Sequence, residues 1–138
     1  ILMAPHFFVE ETGLEAIRAA KAAYQGGEWR RRAAKYHAAP DVAFRGWNDA
    51  WLDPAFTLRD AADALSQLSV PALAIQGHDD QYGSLAQIEI VAQRSPAPVT
   101  LAALEDCRHA PQFEAPDATL AAVSAFIRDV DGADLGLP

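Results

Sequence analysis

Two nearly continuous apolar segments constrain the fold of this chain most strongly. Val70–Ile75 and Val99–Leu104 are almost entirely apolar, and the segment between them, 84–93, repeats apolar residues at helical spacing. The continuous apolar run of the first segment is typical of a parallel strand that is covered on both faces, and the second segment predicts another apolar strand. A strand, a crossover helix and a second strand therefore predict a right-handed parallel unit. A further helix, which begins at Pro116-Asp117, follows the second strand.

Helical patterns fill most of the chain before these strands. Ile1–Ala4 is a short apolar run with the character of a strand end. Thr12-Gly13-Leu14-Glu15 has the spacing of a capping box, which predicts a helix that should end at Gly26-Gly27. Two more helices are predicted, one over 28–38 and one over 44–51 that carries an aromatic face.

Two smaller expectations complete the helical pattern. Thr57-Leu58-Arg59-Asp60 repeats the capping pattern and predicts a short helix that carries Ala62 and Leu65. Residues 131–138 are expected to form a loose tail. The last helix is expected to turn its apolar residues inward as one stripe, formed by Leu120, Val123, Ile127 and Val130.

Together these patterns predict an α/β fold with about three parallel strands, flanking helices and a helical insertion. Residues 1–9 and 67–138 are expected to form the sheet and its helices, and residues 10–66 the insertion. The 138 residues suit one domain, and 51% hydrophobic with 22% charged residues is ordinary for a globular protein.

Charge and cysteine content narrow the partners and the compartment. The formal net charge is −8 and the basic run Arg30-Arg31-Arg32 is short, so no nucleic-acid partner is expected. Cys107 is the single cysteine, which excludes an internal disulfide and favours a reducing, cytoplasmic compartment. No apolar run is long enough to span a membrane, so no membrane partner is expected. Because the chain begins at Ile1, inside a predicted strand, we expect it to lack the front half of its fold.

An acid and a base follow the two predicted strands. Asp80 lies just past the strand Val70–Ile75, and His109, 29 residues further along, lies just past the strand Val99–Leu104. Neighbouring parallel strands are about 5 Å apart and their carboxyl ends share one edge of the sheet, so the carboxylate can reach the imidazole. Asp80 would hold one ring nitrogen of His109, and the other nitrogen would act as a general base. Asp79 is a competing acid, or a turn residue beside Gly77.

Both loops resemble those of the α/β-hydrolase fold family. Ala74–Gly83 resembles the acid loop, in which the aspartate three residues after the glycine is the triad acid, and Cys107–Pro116 resembles the histidine loop. The whole chain is similar to the C-terminal half of that fold, with 10–66 as a helical cap. The resemblance implies that Asp80 and His109 serve an upstream nucleophile in hydrolysing small ester, amide or carbon–carbon bonds. Arg108 departs from the family, which commonly has glycine before the histidine.

The nucleophile that the family requires is absent from this sequence. The family carries it upstream of the acid in a Gly-x-Ser-x-Gly elbow. Cys107 lies two residues from His109 on the same loop, so we expect it to fill space rather than to attack a substrate. No serine has the context of the elbow among Ser66, Ser69, Ser84, Ser95 and Ser124. The sequence therefore predicts that this chain alone has no hydrolase activity.

Aromatic residues indicate where an apolar substrate would bind. Phe7 and Phe8 follow the predicted strand Ile1–Ala4, at the same end of the sheet as Asp80, although core packing explains them equally well. Trp47 and Trp51 would line an apolar pocket under the cap, although packing within the cap is the stronger interpretation. No metal-ligand spacing joins the histidines, so no metal and no cofactor are expected. The predicted substrate contacts are His6, Phe7, Phe8, Trp47, Trp51 and Tyr82.

Three functions are compatible with the sequence. The first is a serine-type hydrolase of small apolar substrates, with this chain carrying the acid, the base and the cap. Because the nucleophile is absent from the sequence, a dehalogenase with an upstream aspartate as nucleophile also stays open. The second is a non-catalytic, hydrolase-like binding module, and the third is an inert fragment. In each case the first strand would leave an open edge, through which self-association is expected.

Overall fold

Three parallel strands form the centre of the protein. The computed structural model describes residues 1–57 and 61–134. Its strands are β1 (Leu2–Met3), β2 (Ala72–Gly77) and β3 (Val99–Leu104), in the spatial order β1-β2-β3. Both pairings are parallel. The predicted parallel sheet is therefore confirmed.

Helices precede and separate the strands. A six-residue 3₁₀ helix, Ala62–Gln67, leads into β2. The α-helices of the described residues are α1 (Glu11–Gln25), α2 (Glu28–Ala33), α3 (Pro40–Leu52), α4 (Pro54–Thr57), α5 (Ala86–Arg94), α6 (Pro111–Glu114) and α7 (Pro116–Asp134). The predicted crossover helix between β2 and β3 is α5, and the predicted last helix is α7.

The chain divides into two compact units. The sheet unit comprises Ile1–Phe8 and Ala61–Pro138, and the helical unit comprises Val9–Asp60. The 3₁₀ helix lies in the sheet unit, whereas the predicted insertion extends to residue 66. Ala62 in this helix packs against Ile88 and Val91 of α5, which ties it to the core of the sheet unit.

The core of the sheet unit surrounds β2. Every residue of β2 is buried, as expected of a central parallel strand. Helices α5 and α7 both pack against β2 and β3. Ala74 of β2 contacts Ile88 and Val91 of α5 in one apolar cluster, to which Leu2 of β1 adds its side chain. This packing fixes the carboxyl ends of β2 and β3 side by side.

Helix α7 is rotated from the predicted orientation. Leu120 and Ile127, predicted to face inward, are 64% and 47% exposed, so the predicted inner stripe is wrong at these two positions. Thr119 is buried instead, and its hydroxyl donates to the carbonyl of Pro111 at 2.9 Å. The short helix α6, which the sequence did not predict, packs against α7 and contains Pro111, the acceptor of this hydrogen bond.

Helix boundaries in the first half differ in part from prediction. Helix α1 begins at Glu11, and among the described residues no side chain caps it, so the predicted capping box at Thr12 is wrong. The predicted end is confirmed, because Gly26 caps α1 and Gly27 adopts a left-handed φ of 89°. Helix α2 ends at Ala33, five residues earlier than expected. The predicted cap at residues 58–60 lies outside the described residues.

An aromatic and ionic cluster holds the helical unit together. The ring of Tyr24 on α1 stacks on Phe44 of α3, with ring centroids 3.8 Å apart. The hydroxyl of Tyr24 donates to Asp41 at 2.9 Å, and the guanidinium of Arg30 donates to both carboxylate oxygens of Asp41. These hydrogen bonds, that of Arg30 first, lower the pKa of Asp41 to about 2. The carboxylate therefore stays charged over nearly the whole pH range.

Candidate active site

The acid loop leaves β2 at Gly77 and brings Asp80 to the centre of the site. The side chain of Asp80 is fully buried. Its Oδ1 accepts the backbone N–H of Tyr82 at 2.8 Å. Its Oδ2 accepts Nε2 of Gln76 at 2.5 Å and lies 2.9 Å from Nδ1 of His109. The carboxylate thus meets three donors from three directions.

The histidine loop leaves β3 and runs beside the acid loop. The backbone N–H of His78 donates to Leu104 at 2.9 Å, and that of Asp79 donates to Cys107 at 2.9 Å. These bonds extend the β2–β3 pairing past the ends of the strands. A Cβ on Gly77 would lie 2.1 Å from the Cys107 carbonyl oxygen, so only glycine allows the loops to approach this closely.

The contact between Asp80 and His109 fixes the tautomer of the imidazole. An ionised carboxylate only accepts hydrogen bonds, so Nδ1 of His109 carries the proton and Nε2 is left with a lone pair. The side chain of His109 is 38% exposed, and no described residue takes up Nε2. The arrangement can therefore accept a proton at Nε2 and stabilise the resulting imidazolium.

The structure brings Asp80, not Asp79, to the histidine. The side chain of Asp79 is exposed, and its backbone N–H serves the loop pairing with Cys107. Asp79 is therefore the turn residue that the sequence left as an alternative. The catalytic role of Asp80 and His109 stays a prediction, although their geometry is that of an acid–base pair.

Opposing effects act on the ionisation of Asp80. Burial, the largest effect, raises the pKa of Asp80, but hydrogen bonds from His109 and the Tyr82 amide lower it, as do the charges that His109 and His6 carry when protonated. The net result is a pKa below the usual range.

This depressed pKa of Asp80 predicts a loss of stability in acid. A carboxyl group with a lower pKa in the folded state stabilises the protein above its unfolded pKa of about 3.9. That contribution disappears as the pH falls through the lower folded pKa. Urea unfolding as a function of pH should therefore show a decline below about pH 4 that is smaller in Asp80→Asn. If the unfolding free energy depends on pH in the same way in the parent and in Asp80→Asn, Asp80 does not contribute to the loss of stability in acid.

Glu114 in α6 anchors the histidine loop. Its Oε2 accepts the backbone N–H of Arg108 at 2.9 Å and that of Ala110 at 3.2 Å, one on each side of His109. Its Oε1 accepts Nε of Arg108 at 3.2 Å. The guanidinium of Arg108 is thus paired with Glu114, whose carboxylate also binds the backbone of the loop.

We expect Glu114→Ala to loosen this loop. Two backbone donors would lose a charged acceptor, which costs about 2 kcal/mol of unfolding free energy. The amides of Arg108 and Ala110 should exchange with solvent faster, which hydrogen exchange followed by NMR measures directly. Glu105→Ala, at an exposed glutamate near the same loop, is the control and should leave both amides protected. Equal exchange in the two variants would exclude the anchoring role.

Two further rings flank the imidazole of His109. The ring of Tyr82 lies edge-on with centroids 4.9 Å apart, and the ring of His6 is tilted at 5.6 Å. A Cβ on Gly83 would lie 2.8 Å from the His6 ring, so a glycine here leaves room for that imidazole. The structure thus places two of the predicted substrate contacts, His6 and Tyr82, around His109.

The side chain of Gln87 holds the segment that carries Phe7 and Phe8, two further predicted substrate contacts. Its Oε1 accepts the backbone N–H of Phe7 at 2.8 Å, and its Nε2 donates to the carbonyl of Phe8 at 2.9 Å. Phe7 packs against the apolar core, which favours the core interpretation that the sequence left open. Phe8 is partly buried on the same segment.

The two tryptophans lie on α3 in the helical unit. Trp47 packs edge-on against Phe44 at 5.7 Å, and Trp51 packs edge-on against Phe56 at 5.0 Å. Both are partly buried within an aromatic cluster. Their contact with substrate stays a prediction.

Cys107 is a buried thiol rather than a nucleophile. Its side chain is fully buried, and Sγ donates to the carbonyl of Arg108 at 3.5 Å. Burial, followed by the charges of Glu114, Asp80 and Asp79, raises the pKa of Cys107. The thiol therefore stays protonated at neutral pH, as expected of a residue that fills space.

Sequence reasoning missed three residues that build the site. Gln76, Gln87 and Glu114 each hold a loop through side-chain hydrogen bonds. One signal was available, because Gln76 is the single polar residue in an otherwise apolar strand. The role of Gln87 depends on a contact between distant segments, which no local pattern reveals. The contacts of Glu114 are local, to Arg108 and Ala110, but they depend on the turn of the loop that precedes α6.

Residues 1–57 and 61–134 contain neither a cluster of metal ligands nor a membrane-spanning helix. In this part of the chain, no group of three or more histidine, cysteine, aspartate or glutamate side chains is arranged to hold a metal ion. Within the same residues, every helix is too short or too polar to cross a lipid bilayer.

Two solved structures share this architecture. The thermophilic esterase from Thermogutta terrifontis, in a malate-bound structure, matches 94% of this chain and 55% of its own, with a TM-score of 0.57 and 20% identity. The putative non-heme bromoperoxidase BpoC from Mycobacterium tuberculosis H37Rv matches 94% and 57%, with a TM-score of 0.62 and 20% identity. No protein-family model and no curated protein matches the chain.

The likeness at this level of identity concerns the fold. The chain spans a little over half the length of both solved structures. Its three parallel strands with flanking helices form a partial α/β-hydrolase fold, which confirms the predicted fold class. The proteins with which it shares that fold are an esterase and a putative bromoperoxidase.

Proposed function

We propose that the complete protein is a serine-type α/β hydrolase in which this chain supplies the acid and the base. The observation that carries the proposal is the 2.9 Å contact between Oδ2 of Asp80 and Nδ1 of His109. Asp80 is buried and held by further donors, whereas His109 is partly exposed. A fixed acid behind an accessible base is what nucleophilic catalysis by a hydroxyl requires.

In the proposed reaction, a serine upstream of Ile1 attacks the carbonyl carbon of the substrate. Nε2 of His109 takes the hydroxyl proton, and Asp80 stabilises the imidazolium without becoming protonated. The imidazolium then returns the proton to the leaving group, which departs and leaves an acyl-enzyme. A water molecule, deprotonated by the same nitrogen, attacks the acyl carbon, the bond to the serine oxygen breaks, and the imidazolium returns the proton to that oxygen as the acid product leaves.

The proposed substrates are small apolar esters, amides or compounds with an activated carbon–carbon bond. His6, Tyr82 and Phe8 would contact the group nearest to the base. A net charge of −8 favours a small-molecule substrate over a nucleic acid. We propose a cytoplasmic location, because the one cysteine is unpaired and buried.

The test begins with the source gene. The complete product, including the sequence encoded upstream of Ile1, is expressed and assayed with p-nitrophenyl esters of increasing acyl length. Labelling with a fluorophosphonate identifies an activated serine. His109→Ala should abolish turnover, whereas His37→Ala, at an exposed histidine of the helical unit, should not.

The outcomes separate the three functions. Ester turnover that requires His109 and a labelled upstream serine supports the hydrolase. Saturable binding of an apolar ester without turnover would replace it with a binding module. If the protein shows no binding and no turnover, it is inert.

We also propose that this 138-residue chain self-associates through the edge of β1. Strand β1 pairs with β2 on one side, and no described strand covers its other side. Ile1 and Met3 at this edge are 54% and 46% exposed. Unpaired strand edges with apolar side chains favour pairing with another chain.

Analytical ultracentrifugation of the chain should therefore detect dimers or larger species. Met3→Lys should shift the population toward monomer, because a charge at an edge opposes strand pairing. Val42→Lys, at a 72% exposed valine of the helical unit, is the matched control and should leave the distribution unchanged. A native chain that stays monomeric at every concentration would refute the association.

A further inference from the structure

A buried glutamine lies directly behind the acid of the site. Gln76 is the penultimate residue of β2, and its side chain has no solvent exposure. Nε2 donates to Oδ2 of Asp80 at 2.5 Å and to the backbone carbonyl of Gly83 at 2.9 Å. An amide nitrogen carries two protons, so these two acceptors use both of them.

The other end of the amide carries an energetic cost. Oε1 of Gln76 is buried without a hydrogen-bond partner among the described residues. A buried acceptor without a partner destabilises a protein, and an apolar residue would fill this strand position without that cost. Packing therefore does not explain the amide, and its donor side must supply the compensating benefit.

The hydrogen bond that supplies this benefit goes to one oxygen of Asp80. Oδ2 receives Nε2 of Gln76 and also faces Nδ1 of His109. Oδ1 is taken by the N–H of Tyr82, which comes from the loop itself. Gln76 is the donor to this carboxylate that comes from within a strand, so its position is set by the sheet and not by either loop.

We propose that Gln76 is a positioning residue, which fixes the Asp80 carboxylate in the orientation that presents Oδ2 to Nδ1 of His109. The inference rests on the proposed function, because it assigns Gln76 a role in the same acid–base pair. Gln76 touches neither substrate nor nucleophile in this role. It acts by linking the end of β2 to both Asp80 and Gly83, so that the loop cannot turn the carboxylate away.

A purely structural brace is the competing explanation. In that case the bond to Gly83 would matter and the bond to Asp80 would be incidental. The two explanations differ in what removal of the donor does to Asp80. Only the positioning role predicts a change in the titration of Asp80 and in the proton that it shares with His109.

The test replaces the amide without changing the size of the side chain. Gln76→Met has the same chain length but no donor, and Gln76→Leu is a second variant in case the first does not fold. In each, ¹³C NMR follows the Asp80 carboxyl carbon during acid titration, and ¹H NMR follows the Nδ1 proton of His109. Asn48→Leu is the matched control, since Asn48 is also a buried amide whose oxygen has no described partner.

We expect the midpoint of the Asp80 titration to rise by about one pH unit in Gln76→Met, because the charged form loses a hydrogen bond. The Nδ1 proton of His109 should exchange with water about tenfold faster. Both readouts should stay unchanged in Asn48→Leu, even if that variant is less stable.

Two results are decisive. If Gln76→Met changes stability but leaves both NMR readouts as in the native chain, Gln76 is a structural brace and the proposal is wrong. If the complete protein hydrolyses nothing while both readouts move, the proposed function fails and the positioning of Asp80 by Gln76 stands. The NMR readouts need no turnover, so the two failures cannot be confused.

Discussion

An Asp80→Asn variant of the complete protein should turn over its substrate about 10⁴-fold more slowly, with KM little changed. An asparagine in this position can present its NH₂ group to Nδ1 of His109. The imidazole would then place its proton on Nε2, and the nitrogen that should accept the serine proton would become a donor. The base would be lost although the side chains keep their shape.

Steady-state kinetics of the complete protein measure this effect directly. Asp79→Asn makes the same chemical change one residue earlier, at an exposed side chain, and should keep kcat within about twofold of the parent, because surface changes away from such contacts have small effects. A large loss in Asp79→Asn with activity retained in Asp80→Asn would transfer the acid to Asp79. If both variants keep the kcat of the parent, the triad takes no part in the reaction.

The position of Asp80 and His109 could be predicted because it follows from the sheet. Asp80 and His109 lie in the loops that follow β2 and β3, and parallel strands bring their carboxyl ends to one edge. Two apolar runs and two loops therefore suffice to expect the contact. The same reasoning leaves Asp79 open, because adjacent residues in a turn point in different directions that only the backbone path decides.

What surrounds that pair could not be predicted, because it depends on side-chain contacts that neither helical spacing nor strand alternation reveals. Gln87 reaches Phe7 and Phe8 across about 80 positions of the chain. The orientation of α7 also differs from prediction, since Thr119 is buried and donates to Pro111 of α6, whereas Leu120 is exposed. A helical pattern gives the apolar residues of α7 but not which of them meet a neighbour, so exposed Leu120 and buried Thr119 reverse the expectation.

Gly77→Ala should disrupt the site by a different route, through the backbone. The added methyl carbon would lie 2.1 Å from the Cys107 carbonyl oxygen, 2.4 Å from that of Arg108 and 2.5 Å from the Cys107 carbonyl carbon. All three are backbone atoms, which cannot move aside as the end of a flexible side chain can. The two loops must separate, and the hydrogen bonds from His78 and Asp79 that join them must lengthen or break.

The control for this variant is Gly132→Ala in α7, where an added methyl group meets no atom within 4 Å. Alanine is a better helix former than glycine, so this control should be neutral or more stable by up to about 1 kcal/mol. Both glycines lie in the sheet unit, so the comparison reports the close approach and not the loss of glycine as such.

The expected cost of Gly77→Ala is about 3 kcal/mol of unfolding free energy, at the upper end of what overpacking usually causes, because no atom in contact can yield. For a unit of this size that lowers the melting temperature by roughly 15 °C. Separation of the loops also moves His109 away from Asp80, so the Nδ1 proton of His109 should vanish from the ¹H NMR spectrum even where the variant remains folded. A variant that melts with the parent and keeps that proton would mean that the loops approach less closely in solution, and the contact between Asp80 and His109 would then need a support other than the backbone at Gly77.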